Sequence, residues 1–104
     1  MGLFDFLKKP DFHTLLKEWQ QNPQGVLLDV RTPEEFSIGH VPGTMNIPVD
    51  RISSFSAEKG TALFVYCRSG ARSRTAAAAL HRAGYQSVTD LGGILSYHGP
   101  LEVE

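Results

Sequence analysis

Two short, uninterrupted apolar runs, "GVLLDV" (Gly25–Val30) and "ALFVY" (Ala62–Tyr66), constrain the fold of this chain most tightly. A strand with one wet face alternates apolar and polar residues, whereas a run without alternation is what a strand covered on both faces requires. Segments of helical character lie between and around the two runs. In "PDFHTLLKEWQQNP", Phe12, Leu15, Leu16 and Trp19 fall at i, i+3, i+4 and i+7, one face of a helix. Asp11 is its expected N-cap and Asn22-Pro23 its stop. "TPEEF" starts a second helix, with Thr32 as cap, Pro33 in the first helical position and Glu35 completing a capping box. Gly39 ends it. "SRTAAAALHRAG" is the third, with Ala76, Leu80 and Ala83 on one face and Gly84 in the position a helix-ending glycine takes.

Shorter elements fill the rest. A strand is expected near Thr44–Asn46, a short helix over about Val49–Phe55, a strand over Ser87–Asp90, and a Gly-rich turn, "LGGILSYHG", leading to a last short helix. Strands alternating with helices give right-handed βαβ units. The expected fold is therefore α/β: a small, mainly parallel central sheet of about five strands with helices on both faces. The 104 residues divide into an N-terminal extension, 1–9, and one domain, 10–104. In such sheets ligands bind at the carboxyl ends of the strands. Cys67, directly after "ALFVY", belongs at that edge.

A formal net charge of −1 provides no field for nucleic acid. No apolar run approaches the ~20 residues of a membrane span. The start "MGLFDFLKK" has its lysines after its apolar residues and no cleavage site, unlike a secretory signal, and Phe6 stands where myristoylation requires Ser or Thr. A cytoplasmic monomer is the expectation. The single cysteine excludes an intramolecular disulfide and a metal-binding cysteine pair. Redox chemistry at Cys67 then needs an acceptor from another molecule. No cofactor and no metal site are expected.

Around Cys67 the order is strand, loop, helix: "ALFVY", "CRSGARS", "RTAAAAL". If the chain curls between Cys67 and Arg72, its amides converge toward the sulfur, and Gly70 relaxes the dihedral demands of the curl. The following helix, starting near Ser73, aims its unpaired N–H groups into the same space. Ser69 and Ser73 add hydroxyls, and Arg68 and Arg72 add charge. Each feature favours thiolate over thiol, so a depressed Cys67 pKa and strong nucleophilicity are expected.

Three segments resemble the rhodanese-like sulfurtransferases in their single-domain form. They are "LLDVRTPEEFSIGHVPGTMNIP" (Leu27–Pro48), the loop "CRSGARS" (Cys67–Ser73) and "GYQSVTDLGGILSYHGP" (Gly84–Pro100). The resemblance implies the three-layer rhodanese-like fold and a reaction in which Cys67 takes the sulfane sulfur of a donor such as thiosulfate or polysulfide. The resulting persulfide passes its sulfur to cyanide or a cellular thiol. It also implies that Arg68, Ser69, Gly70, Ala71, Arg72 and Ser73 bind the substrate, their amides cradling the sulfur and Arg72 offering a bidentate fork to the donor's anionic group. Dual-specificity phosphatases of related fold use a loop with five residues between Cys and Arg. Here four intervene, Arg68 to Ala71, which encloses a space for one sulfur rather than a phosphate. Two other readings stay open: a persulfide carrier serving a thiol protein, and a phosphatase or arsenate reductase.

Asp29 and Arg31 are read as a structural pair tying the first crossover to the active-site edge, and His40 as a packed histidine bonding backbone. Glu34 and Glu35 are read as helix-capping acids, Trp19 as core, and His13, His81 and His98 as exposed. Leu3, Phe6 and Leu7 could form a helical stripe that docks on the domain, with a lipid or partner surface as the alternative.

Overall fold

The computed structural model describes residues 10–104. The expected stripe on residues 1–9 lies outside them. The elements are α1 (Phe12–Gln20), β1 (Val26–Asp29), α2 (Pro33–Ile38), β2 (Met45–Asn46), β3 (Ala62–Cys67), α3 (Ala71–Arg82) and β4 (Ser87–Gly93). Two 3₁₀ segments, Val49–Ser54 and Ile94–Ser96, stand where short helices were expected. Four strands form one sheet in the order β2-β1-β3-β4, one fewer than the approximate count from sequence, and every pairing is parallel.

The order carries the functional geometry. From β1 the chain moves outward to β2, then crosses back to β3 on the other side of β1 and outward again to β4. Connections leaving β1 and β3 therefore diverge, opening a crevice beyond their carboxyl ends. Those ends are Asp29 and Cys67.

Side-chain parity along the central strands divides the core. Leu28, Val30, Leu63, Val65 and Cys67 pack with Ile52, Ala76, Leu80 and Tyr85 on the α3 side. Leu27, Phe64, Tyr66 and Leu91 pack with Phe12, Leu16 and Val41 on the α1 side. Positions two apart share a face, so the parity that buries Leu63 and Val65 under α3 also turns Cys67 toward it. The buried face of α3 is Ser73, Ala76 and Leu80; Ala83, expected there, is the exposed C-cap.

Local signals behaved as the chemistry requires. Asp11 accepts from the Thr14 amide and caps α1. Thr32 and Glu35 form the full capping box of α2, with Pro33 at its start. Gly84 follows α3 with φ of 100°, a backbone region that side-chain-bearing residues disfavour. Trp19 is half-buried against the α1-side core, its indole N–H donating to Gly25 O at 3.2 Å. Among the described residues no helix is long and apolar enough to cross a membrane, and no cluster of His, Cys, Asp or Glu could hold a metal ion.

Candidate active site

Cys67 ends β3, 1% exposed, and its sulfur lies inside a tight turn of its own chain. Gly70 makes that turn with φ of 113°, and its amide donates to Cys67 Sγ at 3.0 Å. Gly70 is also the N-cap of α3, which begins at Ala71, two residues earlier than the sequence reading placed it. The earlier start matters: no side chain caps this helix end, so its first amides remain for the sulfur. Ser73, fully buried, sets its hydroxyl 3.5 Å from Sγ, 3.2 Å from Gly70 O and 3.4 Å from Gly92 O. Its single proton has a backbone acceptor when the sulfur is a thiol and can turn to the sulfur when it is a thiolate.

These contacts compete with burial. Desolvation pushes the Cys67 pKa up, but the Ser73 hydroxyl and the amides of Ser73, Gly70 and Arg72 outweigh it and hold the pKa below the ordinary thiol value.

The back of the loop rests on β4. Register shifts between Val65 and Tyr66, which leaves Leu91 as an extra residue and brings Gly92 and Gly93 opposite Tyr66 and Cys67. A Cβ on Gly93 would stand 2.7 Å from Ser69 Cα, so only glycine lets the loop lie this close. The Leu95 amide then donates to Arg68 O at 3.2 Å, tying the segment after β4 to the loop.

Asp29 and Arg31 form the floor beside the thiol. Asp29 is 0% exposed; its carboxylate accepts from Arg31 N, Nε and Nη2, the last at 2.6 Å. Arg31 Nη2 also donates to Gly39 O at 2.7 Å, and Asn46 Nδ2 donates to the carbonyls of Asp29 and Arg31. Arg31 Nη2 thus ties the pair to the connector backbone, and Asn46 Nδ2 ties β2 to the end of β1. His40 is buried, its Nδ1 2.8 Å from Phe36 O and its ring stacked on Phe36. Tyr66 escaped the sequence reading: its hydroxyl accepts from the Val41 amide at 3.1 Å, pinning the connector to β3 one residue before the cysteine. Burial raises its pKa far above the usual phenol value, so this acceptor stays a neutral hydroxyl.

The arginines of the loop differ. Arg72, expected to present an open fork, gives it to Glu35: Nη1 to Oε1 at 2.6 Å and Nη2 to Oε2 at 3.0 Å. Glu35, read as a capping acid only, does both jobs, and Arg72 with the Thr32 cap holds its carboxyl down to about 2. Arg68 is exposed and makes no ion pair among the described residues. Ser69 and Ala71 are exposed, and the Ser69 hydroxyl makes no hydrogen bond to the sulfur. His13, His81 and His98 are exposed as expected, but His13 and His98 stack at 5.8 Å.

The sequence model of the rhodanese-like domain matches residues 12–99. A protein named sulfurtransferase from Allochromatium vinosum is 36% identical over 94 residues, 86% of this chain and 88% of that protein. A rhodanese-like domain protein from Staphylococcus aureus superposes with a TM-score of 0.74 at 28% identity, over 90% of this chain and 95% of that one. A rhodanese from E. coli, solved with anions, superposes with a TM-score of 0.70 at 30% identity, over 77% of this chain and 99% of that one. The family model spans every element from α1 to the last 3₁₀ turn, and with it the chain belongs to the rhodanese-like domain family.

Proposed function

We propose that this protein is a sulfurtransferase that carries sulfane sulfur as a persulfide on Cys67. The observation behind the reading is the ring around Sγ: the Gly70 amide at 3.0 Å, the Ser73 hydroxyl at 3.5 Å, and the first amides of α3. Such donors stabilise a sulfur anion in a dry site, where they are worth more than in water. The Cys67 thiolate attacks the outer sulfur of a donor such as thiosulfate. A Cys–S–S bond forms, the donor's S–S bond breaks, and its electron pair leaves with sulfite. The negative charge then sits on the terminal persulfide sulfur, facing the loop amides of Arg68–Ser73. Cyanide or a thiolate attacks that sulfur, and the Cys67 thiolate is restored. The step needs no general base because the thiolate is preformed, which leaves His40 and the Asp29–Arg31 pair to position the site.

Supporting this reading over a phosphatase or arsenate reductase are the loop length and the Arg72 fork, which is filled by Glu35 rather than open to a tetrahedral oxyanion. The name of the Allochromatium relative supports sulfur transfer, and the anions of the E. coli rhodanese support an anion-binding role for the fold. Intact-mass spectrometry tests the proposal. Treatment with thiosulfate or polysulfide is expected to add one sulfur to the protein, removed by cyanide or dithiothreitol and never added to Cys67→Ser. Hydrolysis of an aryl phosphate without any sulfur gain would overturn it.

A further inference from the structure

The segment after β4 runs along the edge of the site, and its fastenings differ in kind. At one end the Leu95 amide donates to Arg68 O at 3.2 Å. At the other end Leu101 lies against Gly39, where an added Cβ would meet it at 3.0 Å. The two backbone bonds of the His40–Glu102 bridge, each 2.9 Å, and the Glu104 amide on Ser37 O at 3.1 Å close that end. Both ends are thus held by backbone groups, which do not titrate.

Between them, Tyr97–Pro100 is held by an imidazole. The His98 amide donates to Nε2 of His13, on α1, at 3.0 Å. The rings of Tyr97 and His98 stack on that of His13 at 5.3 and 5.8 Å. The Tyr97 hydroxyl donates to Pro100 O at 2.7 Å, and a Cβ on Gly99 would overlap it. Tyr97 is the one described residue that lines two hollows. One, of about 320 Å³, lies beside the sulfur loop with Arg68, Leu95 and Leu101; the other, of about 540 Å³, lies on α1 with Lys17 and Pro100. The ring of Tyr97 stands between them.

An acceptor at Nε2 requires neutral His13 with its proton on Nδ1. A further proton must go to Nε2, where it faces the His98 N–H, donor against donor. The surrounding charges pull both ways. Asp11, the N-cap of α1, attracts a cation on His13, and the face of the Tyr97 ring accommodates one. Lys17, one turn along α1, and protonated His98 repel it. Burial raises the Tyr97 pKa above the usual phenol value, so its hydroxyl remains a neutral donor. None of these groups supplies an acceptor where the His98 N–H points, so protonation breaks the bond whichever charge prevails.

We propose that Tyr97–Pro100 is a pH-sensitive partition, latched on α1 by neutral His13 and released when His13 gains a proton, which separates the two hollows at neutral pH and joins them in acid. The fixed ends at Leu95 and Leu101 confine the release to the residues between them, and the sheet does not take part. The latched form excludes the proton on Nε2, so latching is complete above the histidine range and is lost as pH falls through it.

Backbone ¹⁵N relaxation on the full chain at pH 7.5 and pH 5.0 tests this. Order parameters of Tyr97, His98 and Gly99 are expected near about 0.85 at pH 7.5 and below about 0.6 at pH 5.0, with β3 rigid at both. His13→Gln places an amide oxygen where Nε2 stood and cannot titrate, so the segment should stay ordered at both pH values. His13→Ala removes the acceptor, so the segment should be mobile at both. His13 is exposed, and neither variant disturbs the core. Wild-type order unchanged in acid, a His13→Gln protein that loosens as wild type does, or a His13→Ala protein ordered at pH 7.5 would each overturn the proposal. Loss of order in β3 together with 97–99 would assign the change to the whole fold and overturn it as well.

Discussion

Two arginine–carboxylate pairs flank the sulfur loop, and they differ in almost everything but their chemistry. Asp29–Arg31 lies at the end of β1 with side chains 0% and 8% exposed, and Glu35–Arg72 joins the first turns of α2 and α3 at 27% and 34%. Both are closed by a contact of 2.6 Å. The buried pair also holds the Gly39 carbonyl through Arg31 Nη2, and Asn46 holds the carbonyls of both its residues, so it cannot move without the backbone around it moving. The half-exposed pair touches only one capping residue besides itself, so it can open or exchange partners while the fold stays intact. The floor holds the fold beneath the loop; the rim sets what approaches the sulfur.

Breaking the floor should have the largest effect. Arg31→Ala leaves the Asp29 carboxylate buried without its partner, and such half-pairs cost about 3–5 kcal/mol. Urea denaturation should show that loss, with sulfur loading per folded molecule close to wild type. A loss below about 1 kcal/mol would place this pair in the same class as the rim.

Gly93→Ala tests the floor from the β4 side. The new methyl would press on Ser69 Cα at 2.7 Å, so the loop must shift. Misplacing reacting groups by such amounts costs on the order of tenfold to a hundredfold in rate. The expected signature is slow persulfide formation, measured by quenched mass spectrometry, in a protein whose melting shows a native fold.

Ser73→Ala sits between floor and rim. It removes one hydroxyl donor to a charged sulfur, a bond worth about 1.5–3 kcal/mol. Desolvation, already opposing the thiolate, then meets less resistance, so the Cys67 pKa should rise. Thiolate absorbance against pH measures this. As pH falls through the Cys67 pKa the nucleophile is protonated, so the variant should lose loading activity at a higher pH than wild type. An unshifted titration would leave the amides as the whole of the cradle.

The floor was largely legible in the sequence, and the rim was not. "GVLLDV" and "ALFVY" announce the two central strands because burial on both faces forbids alternation, and that placed Asp29 and Cys67 at strand ends; their adjacency comes from the strand order. Gly70, the Cys-to-Arg spacing and the alanine-rich helix announced the loop. Glu35 was legible only as a cap, since a local signal three residues long accounts for it fully. Its second partner is 37 positions away and appears only when α2 and α3 are brought together by the crossover. Tyr66 and Leu101 were missed for the same reason: a tyrosine in an apolar run reads as core, and a leucine in the last four residues reads as tail. Each acquires its role from a connector that no local pattern specifies. The β4 bulge that admits Gly93 likewise depends on register, which periodicity does not fix.

Glu35→Gln has the smallest expected effect on stability and the sharpest one on the comparison. Exposed ion pairs contribute about 0–1 kcal/mol, and glutamine keeps the capping-box geometry, so the fold should lose no more than about 1 kcal/mol at neutral pH. The pH dependence separates charge from packing. The Glu35 carboxyl is held at about 2 against an ordinary 4.5, so its contribution is fully present above about 4.5 and is lost as pH falls toward 2. The variant has no such carboxylate, so the stability gap between the two proteins should close over that window. At neutral pH the same substitution frees the Arg72 fork and removes a negative charge from the rim. Thiosulfate, as a dianion, should then load Cys67 faster than in wild type, while neutral iodoacetamide alkylates Cys67 at a rate little changed. If thiosulfate loading instead falls, Arg72 needs Glu35 to hold it in place, and the rim is as fixed as the floor.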